Sequence, residues 1–160
     1  MLTIGTDSYI TVADADGYIS GHYRSNNLSR TRWEALPEED REILLRQACA
    51  AIETLPFHGR KANPAQKLAF PRLPFQYGNA EDAPDSVKNA QAELALWLSD
   101  DTKQAEQAQR QELQAQGVTS FSVGDLSENY GATQTKSPAE LCAKCAALLA
   151  PWLNGGFGIC

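Results

Sequence analysis

Apolar and polar positions change rhythm once along this chain. From Gly117 to Tyr130 (GVTSFSVGDLSENY) they alternate with a period of two around Gly124-Asp125, whereas most of the remainder has helical spacing. A period of two marks a strand, and Gly-Asp between two such runs marks a hairpin. A lone two-stranded hairpin is marginal in water, and its exposed edge is a surface for another chain. The hairpin therefore points toward assembly rather than chemistry.

The helical part begins at Thr11, which is expected to cap a first helix with Asp14 at its positive end. Ala15, Tyr18, Ile19 and Tyr23 lie along one side of it. Asp14 and Asp16 lack the further acids of a calcium loop, so both read as first-turn dipole stabilisers. Ser25–Thr31 reads as a flexible polar link, and Trp33 and Leu36 anchor the approach to a second helix. Pro37 followed by Glu38, Glu39 and Asp40 is its start signal. Its core stripe is Leu44, Ala48, Ala51, Ile52 and Leu55, with Leu45 and Cys49 beside it.

Prolines punctuate the connection from Pro56 to Pro84. Asn63-Pro64 is expected to open one short helix through Ala69, and Phe70, Phe75 and Tyr77 to pack the rest. Pro84 opens a third helix with Val87, Ala90, Leu94 and Leu98 as its stripe and Trp97 adjacent. Asp100–Gln116 keeps high helix propensity with little apolar content. Two readings stay open there: one unbroken helix of roughly 50 Å, or a break at Ser99-Asp100-Asp101 and a restart. Ser137-Pro138-Ala139-Glu140 is a capping box, after which Leu141, Cys145, Leu148 and Trp152 stack along a last helix. The pattern predicts a mainly α protein, a small bundle of about four main helices with one projecting β-hairpin. It forms a single domain over 1–160. A helical body, 1–116, contains the Pro-rich loop 56–84; the hairpin, 117–130, the C-terminal helix, 137–153, and a mobile tail, 154–160, follow.

Charge complicates this picture. The net charge of the 160 residues is −6, which disfavours autonomous binding to a phosphate backbone. Yet Thr54–Ala80 contains no acid, and Arg60, Lys61, Lys67 and Arg72 all fall there. They interleave with Phe57, Phe70, Phe75 and Tyr77, the combination of cations and aromatic faces that holds single-stranded nucleic acid. Two other readings remain: the aromatics are loop core under solvated cations, or the cations dock on an acidic protein surface.

Other chemistry finds little support. Glu53 on the core helix reads as an ordinary solvated edge acid. Cys142-x-x-Cys145 lacks two further convergent ligands, because His22 and His58 are not suitably spaced, so the pair reads as helix filler. The cysteines are expected to be reduced thiols in a cytosolic setting. The sequence has no Walker loop, dinucleotide fingerprint or His-Glu-x-x-His. No enzymatic activity, cofactor or metal is expected. No apolar run approaches a bilayer span, so no membrane partner is expected, and MLTIGTDSYITVADAD does not read as a signal peptide.

Several motifs recur together: YITVADADGYI, Trp33-x-x-Leu36, Gln66-x-Leu68-Ala69-Phe70-Pro71-Arg72, Pro84-x-x-Val87-Lys88-x-Ala90-x-x-Glu93-Leu94-Ala95 and GVTSFSVGDLSENY. In this order they resemble the head–tail connector, or adaptor, proteins of long-tailed phages. A subset of these is catalogued under a DnaT-like single-stranded-DNA-binding label. The resemblance implies a virion structural protein of the neck, made in the host bacterial cytoplasm. Its subunits form a homo-oligomeric ring, a dodecamer, on the portal protein. The ring meets the next neck or tail-completion protein, and packaged DNA passes through its channel. Under that reading Phe121, Val123, Asp125, Leu126 and Tyr130 of the hairpin meet a neighbour, with Arg72 and Trp152 as further interface residues. The alternative is a single-stranded-DNA-binding replication module that uses Arg60, Lys61, Lys67 and Arg72.

Overall fold

The computed structural model describes residues 1–73, 82–115, 120–123, 126–129 and 136–153, the two hairpin strands by their backbone alone. It is mostly helical, with seven helices among the described residues. They are α1 (Val12–His22), α2 (Leu28–Ala35), α3 (Glu38–Glu53), α4 (Asp85–Leu98), α5 (Asp101–Ala115), α6 (Pro138–Leu141) and α7 (Ala143–Leu149). A 3-10 turn, Ala150–Trp152, follows α7.

Helix α4 is the axis of the body. Val87, Ala90, Gln91, Ala92, Glu93, Leu94, Ala95 and Leu96 are all buried, so the helix is covered on every side rather than along one stripe. It packs most extensively against α3 and α7, and also against α1 and α2. Three alanines on it let neighbouring backbones approach closely. Fully buried Trp33, Leu45, Ile52 and Leu149 close the core around it.

Local signals set the boundaries. Thr11 Oγ1 accepts the Asp14 N–H at 3.1 Å while the Asp14 carboxylate accepts the Thr11 N–H at 2.9 Å, a complete capping box for α1. Asp16, in contrast, is no dipole stabiliser. It joins helices, accepting from Trp33 Nε1 and from Arg41 Nη1, both at 2.7 Å. The expected flexible link at Ser25–Thr31 is too long, because α2 starts at Leu28. Asn27 caps it, its Oδ1 accepting the N–H of Ser29 at 3.0 Å and of Arg30 at 3.2 Å. On α3 the fully buried residues are Leu45, Ala48, Cys49 and Ile52, while Leu44 and Ala51, and Leu55 just past its end, flank them half-buried. The predicted stripe was centred slightly off this line.

No helix forms over Asn63–Ala69. Side chains take the backbone groups that a helix would use. Asn63 Oδ1 accepts the Ala65 N–H at 2.9 Å, and Gln66 Nε2 donates to the Leu68 and Pro71 carbonyls at 2.8 and 2.9 Å. The segment closes instead through strands β1 (Arg60–Lys61) and β2 (Arg72–Leu73), antiparallel with Arg60 opposite Leu73. The Phe70-Pro71 peptide bond is cis.

The open question at Ser99 resolves as a break. Ser99 caps α4, with its hydroxyl on the Leu96 carbonyl at 2.7 Å, and α5 restarts at Asp101. Asp100 between them pairs with Arg32 at 2.8 Å. The last helix is also broken. Glu140 reaches back to the Ser137 N–H at 2.7 Å, but Cys142 leaves helical geometry at ψ 99 and α7 starts afresh. The break re-aims the following turn, so Ala139, Cys142, Cys145, Leu149 and Leu153 are buried instead of a stripe of Leu141, Leu148 and Trp152. The hairpin consists of β3 (Ser120–Val123) and β4 (Leu126–Asn129), antiparallel with Phe121 opposite Glu128 and Val123 opposite Leu126. Residues 154–160, expected as a mobile tail, lie outside the described residues.

Candidate nucleic-acid interface

The basic loop is fastened to the body by its apolar residues. Phe57 and Phe70 are 6% and 3% exposed, with ring centroids 4.8 Å apart in an edge-on pair. Phe70 also meets Trp152 edge-on at 5.7 Å and Tyr9 at 6.2 Å. The His58 N–H donates to the Trp152 carbonyl at 2.8 Å, tying the start of the loop to the 3-10 turn after α7. These rings are therefore loop core and are not open to bases. Phe75 and Tyr77 lie outside the described residues.

The four cations divide into two kinds. Arg72 is turned inward. Its guanidinium donates to four carbonyls: His58 at 2.6 Å, Gly59 at 2.7 Å, Phe57 at 3.2 Å and Ala69 at 3.3 Å. It also stands 5.9 Å above the Phe57 ring. Lys61 similarly donates to the Lys67 and Gln66 carbonyls at 2.9 and 3.2 Å. Arg60 and Lys67 are exposed. Among the described residues none of the four has a carboxylate partner. Among the described residues the loop's cations thus face carbonyls or solvent rather than ion-pair partners, in a protein of net charge −6.

Two residues outside the loop hold it in place, and the sequence reading missed both roles. Glu53 is not a solvated edge acid but half-buried, accepting the Tyr9 O–H and, at 2.8 Å, the Ala69 N–H. The Phe70 N–H donates to the Tyr9 oxygen at 3.3 Å. Burial first, and the Glu53 carboxylate second, push the Tyr9 phenol far above its usual range. The only available signal was an acid on an otherwise apolar helix flank. Its partner lies far away in an extended segment that no periodicity marks.

The expected interface residues that the structure describes lie on several elements. Trp152 is half-buried against Phe70, and its Nε1 donates to Ser86 Oγ at 2.7 Å. Phe121, Val123 and Leu126 occupy hairpin strands, whereas Asp125 and Tyr130 lie outside the described residues. Cys142 and Cys145 are buried, and burial pushes both thiols up. Among the described residues no His, Cys, Asp or Glu cluster suits a metal, and no helix is long and apolar enough to cross a membrane.

No curated protein and no solved structure matches the chain. A family model matches residues 2–160; it carries the DnaT-like label and says nothing of head–tail connectors. On that near-complete coverage, the chain belongs to the family described as "Putative DnaT-like ssDNA binding protein".

Proposed function

We propose that this protein binds single-stranded nucleic acid through the sugar–phosphate backbone, at the loop spanning 56–73. One observation carries the reading: among the described residues Arg60 and Lys67 stand exposed without a carboxylate partner, on a loop whose nearby carbonyls already engage Arg72 and Lys61. Phosphates satisfy such cations without competition from neighbouring acids. The buried Phe57 and Phe70 offer no stacking platform, so affinity is electrostatic and tolerant of sequence. The overall negative charge opposes long-range attraction, most strongly at low salt where it is least screened.

Fluorescence anisotropy with a labelled oligothymidylate tests this. Affinity is expected to fall with salt at a log–log slope of about 0.7 per phosphate contact. Arg60→Glu combined with Lys67→Glu is expected to weaken binding and lower that slope at unchanged helicity, since both side chains are exposed. Absence of binding at low salt would overturn the reading.

A second reading rests on a separate observation. Strands β3 and β4 pair only with each other among the described residues, leaving two outer edges. This supports a ring subunit of the virion neck, completed by a second copy or by the portal protein. Phe121→Asp with Val123→Asp would then prevent heads from joining tails while leaving the helical body folded. Normal particles from that double variant would exclude it.

A further inference from the structure

An opening lined by none of the loop's residues lies between the α1–α2 turn and the start of α7. It is an open groove of about 610 Å³, within the usual size range of small-ligand sites. None of its lining residues is acidic. Arg24, Lys144 and His22 supply cationic or ionisable groups, Asn26 an amide, Ser29 a hydroxyl and Leu28 an apolar lip.

The two cations are differently prepared. Arg24 is exposed, and its guanidinium has no hydrogen bond or ion pair among the described residues. Lys144 is held in place. Its Nζ donates to the Tyr23 oxygen at 2.5 Å and lies 4.1 Å above the Tyr23 ring. Tyr23 in turn donates to Glu93 at 2.5 Å, and Tyr18 donates to the same carboxylate at 3.0 Å. Glu93 is 4% exposed and 3.8 Å from Lys144. The carboxylate therefore fixes the ammonium from beneath and does not itself line the groove. The Lys144 side chain remains 61% exposed. Leu28, 79% exposed, presents an apolar surface beside these charges.

Two cations beside an apolar lip, with amide and hydroxyl donors, fit a phosphate joined to a sugar and a base. We infer that this groove is a second contact for single-stranded nucleic acid, taking a nucleotide unit with its phosphate at Arg24 and Lys144 and its sugar or base against Leu28. The inference rests on the reading of the chain as a single-strand binder. It adds a site on another part of the surface.

The test is a titration of isotope-labelled protein, followed by NMR, with oligothymidylate in one arm and inorganic phosphate in the other. Oligothymidylate is expected to shift the amides of Arg24, Asn26, Leu28, Ser29 and Lys144. Arg24→Glu, which breaks no intramolecular contact, is expected to remove those shifts and reduce the salt slope by about 0.7, with the loop's own shifts retained. Shifts confined to residues 57–73 would overturn the groove while leaving the proposed function standing. Shifts nowhere would overturn both. An equal response to inorganic phosphate would overturn the nucleotide assignment.

Discussion

The phenol of Tyr9 and the carboxylate of Glu53 are hydrogen-bonded across the interior, and together they grip two consecutive N–H groups of the basic loop. Ala69 donates to Glu53 at 2.8 Å and Phe70 to Tyr9 at 3.3 Å. The loop's far end is thereby fixed to α3 and to the segment before α1. Tyr9→Phe removes the donor to a half-buried carboxylate and the hydroxyl oxygen to which the Phe70 N–H donates. The expected loss is about 2 kcal/mol, read by chemical denaturation. Hydrogen exchange at Ala69 and Phe70 is expected to quicken. Affinity for an oligonucleotide should fall with an unchanged salt slope, because no cation is lost. A changed slope would show Tyr9 acting other than by holding the loop.

Gln91 is a comparable joint at the centre of the core. It is fully buried, yet its amide is satisfied on both sides. Its oxygen accepts the Tyr9 N–H at 2.9 Å, and its nitrogen donates to Ser8 Oγ at 2.7 Å and to the Leu45 carbonyl at 2.8 Å. Gln91→Leu keeps the volume but strands the Tyr9 N–H in the interior and withdraws a donor from Ser8 Oγ and the Leu45 carbonyl. A loss of about 3 kcal/mol is expected, since each orphaned buried group costs about 1–3 kcal/mol. Gln91→Glu should be no milder, because it replaces a donor that the Leu45 carbonyl needs. Thermal unfolding of the two variants checks this.

Residues that act locally were legible in the sequence, and those that act across the chain were not. Thr11 with Asp14, and Pro37 before three acids, announce helix starts through contacts a few residues long. Gly124-Asp125 likewise marks the hairpin from its two neighbours. Gln91 and Glu53 look like ordinary polar positions on amphipathic helices, because their partners lie on other elements. Asn63–Ala69 misleads for a related reason: Asn63-Pro64 is a helix start signal, but Gln66 finds the Pro71 carbonyl, which helical spacing does not show. At the candidate site, the absence of acids from Thr54 to Ala80 is visible in the sequence, whereas the inward turn of Arg72 depends on how the loop closes.

Alkaline pH is expected to unfold the protein. Burial first, then Glu53, raises the Cys49 thiol from 9.0 to about 12. Burial first, then Glu93, raises the Tyr18 phenol from 10.0 to about 12. Tyr9, Tyr23 and Cys145 shift in the same direction, mainly by burial. A group whose folded pKa is raised keeps its proton in the native state after the unfolded chain has lost it. Its contribution is fully present below the unfolded pKa and declines as pH rises above it. Stability should therefore be flat near neutrality and fall from about pH 9 toward pH 12, as measured by denaturant midpoints. Cys49→Ala and Tyr18→Phe should each make that decline shallower. A midpoint unchanged across this range would mean that these groups ionise as readily folded as unfolded.

Arg72 decides whether the basic loop's charge and its shape can be separated. Four carbonyls, from Phe57, His58, Gly59 and Ala69, converge on one guanidinium, which joins the two ends of the loop. Lysine keeps the charge but presents a compact ammonium in place of a planar fork, so it cannot bridge the same set. Arg72→Lys and Arg72→Met are therefore expected to lose similar stability, about 2 kcal/mol, with faster hydrogen exchange at His58 and Gly59. If Arg72 instead served the loop as a phosphate contact, Arg72→Lys would preserve affinity and stability while Arg72→Met alone weakened binding. The salt slope separates the cases. A clamp leaves it nearly unchanged in Arg72→Met, whereas a lost phosphate contact lowers it by about 0.7. With the guanidinium spent on carbonyls, the exposed charge that meets a nucleic acid has to come from Arg60 and Lys67, so reversing those two should reduce the slope where neutralising Arg72 does not.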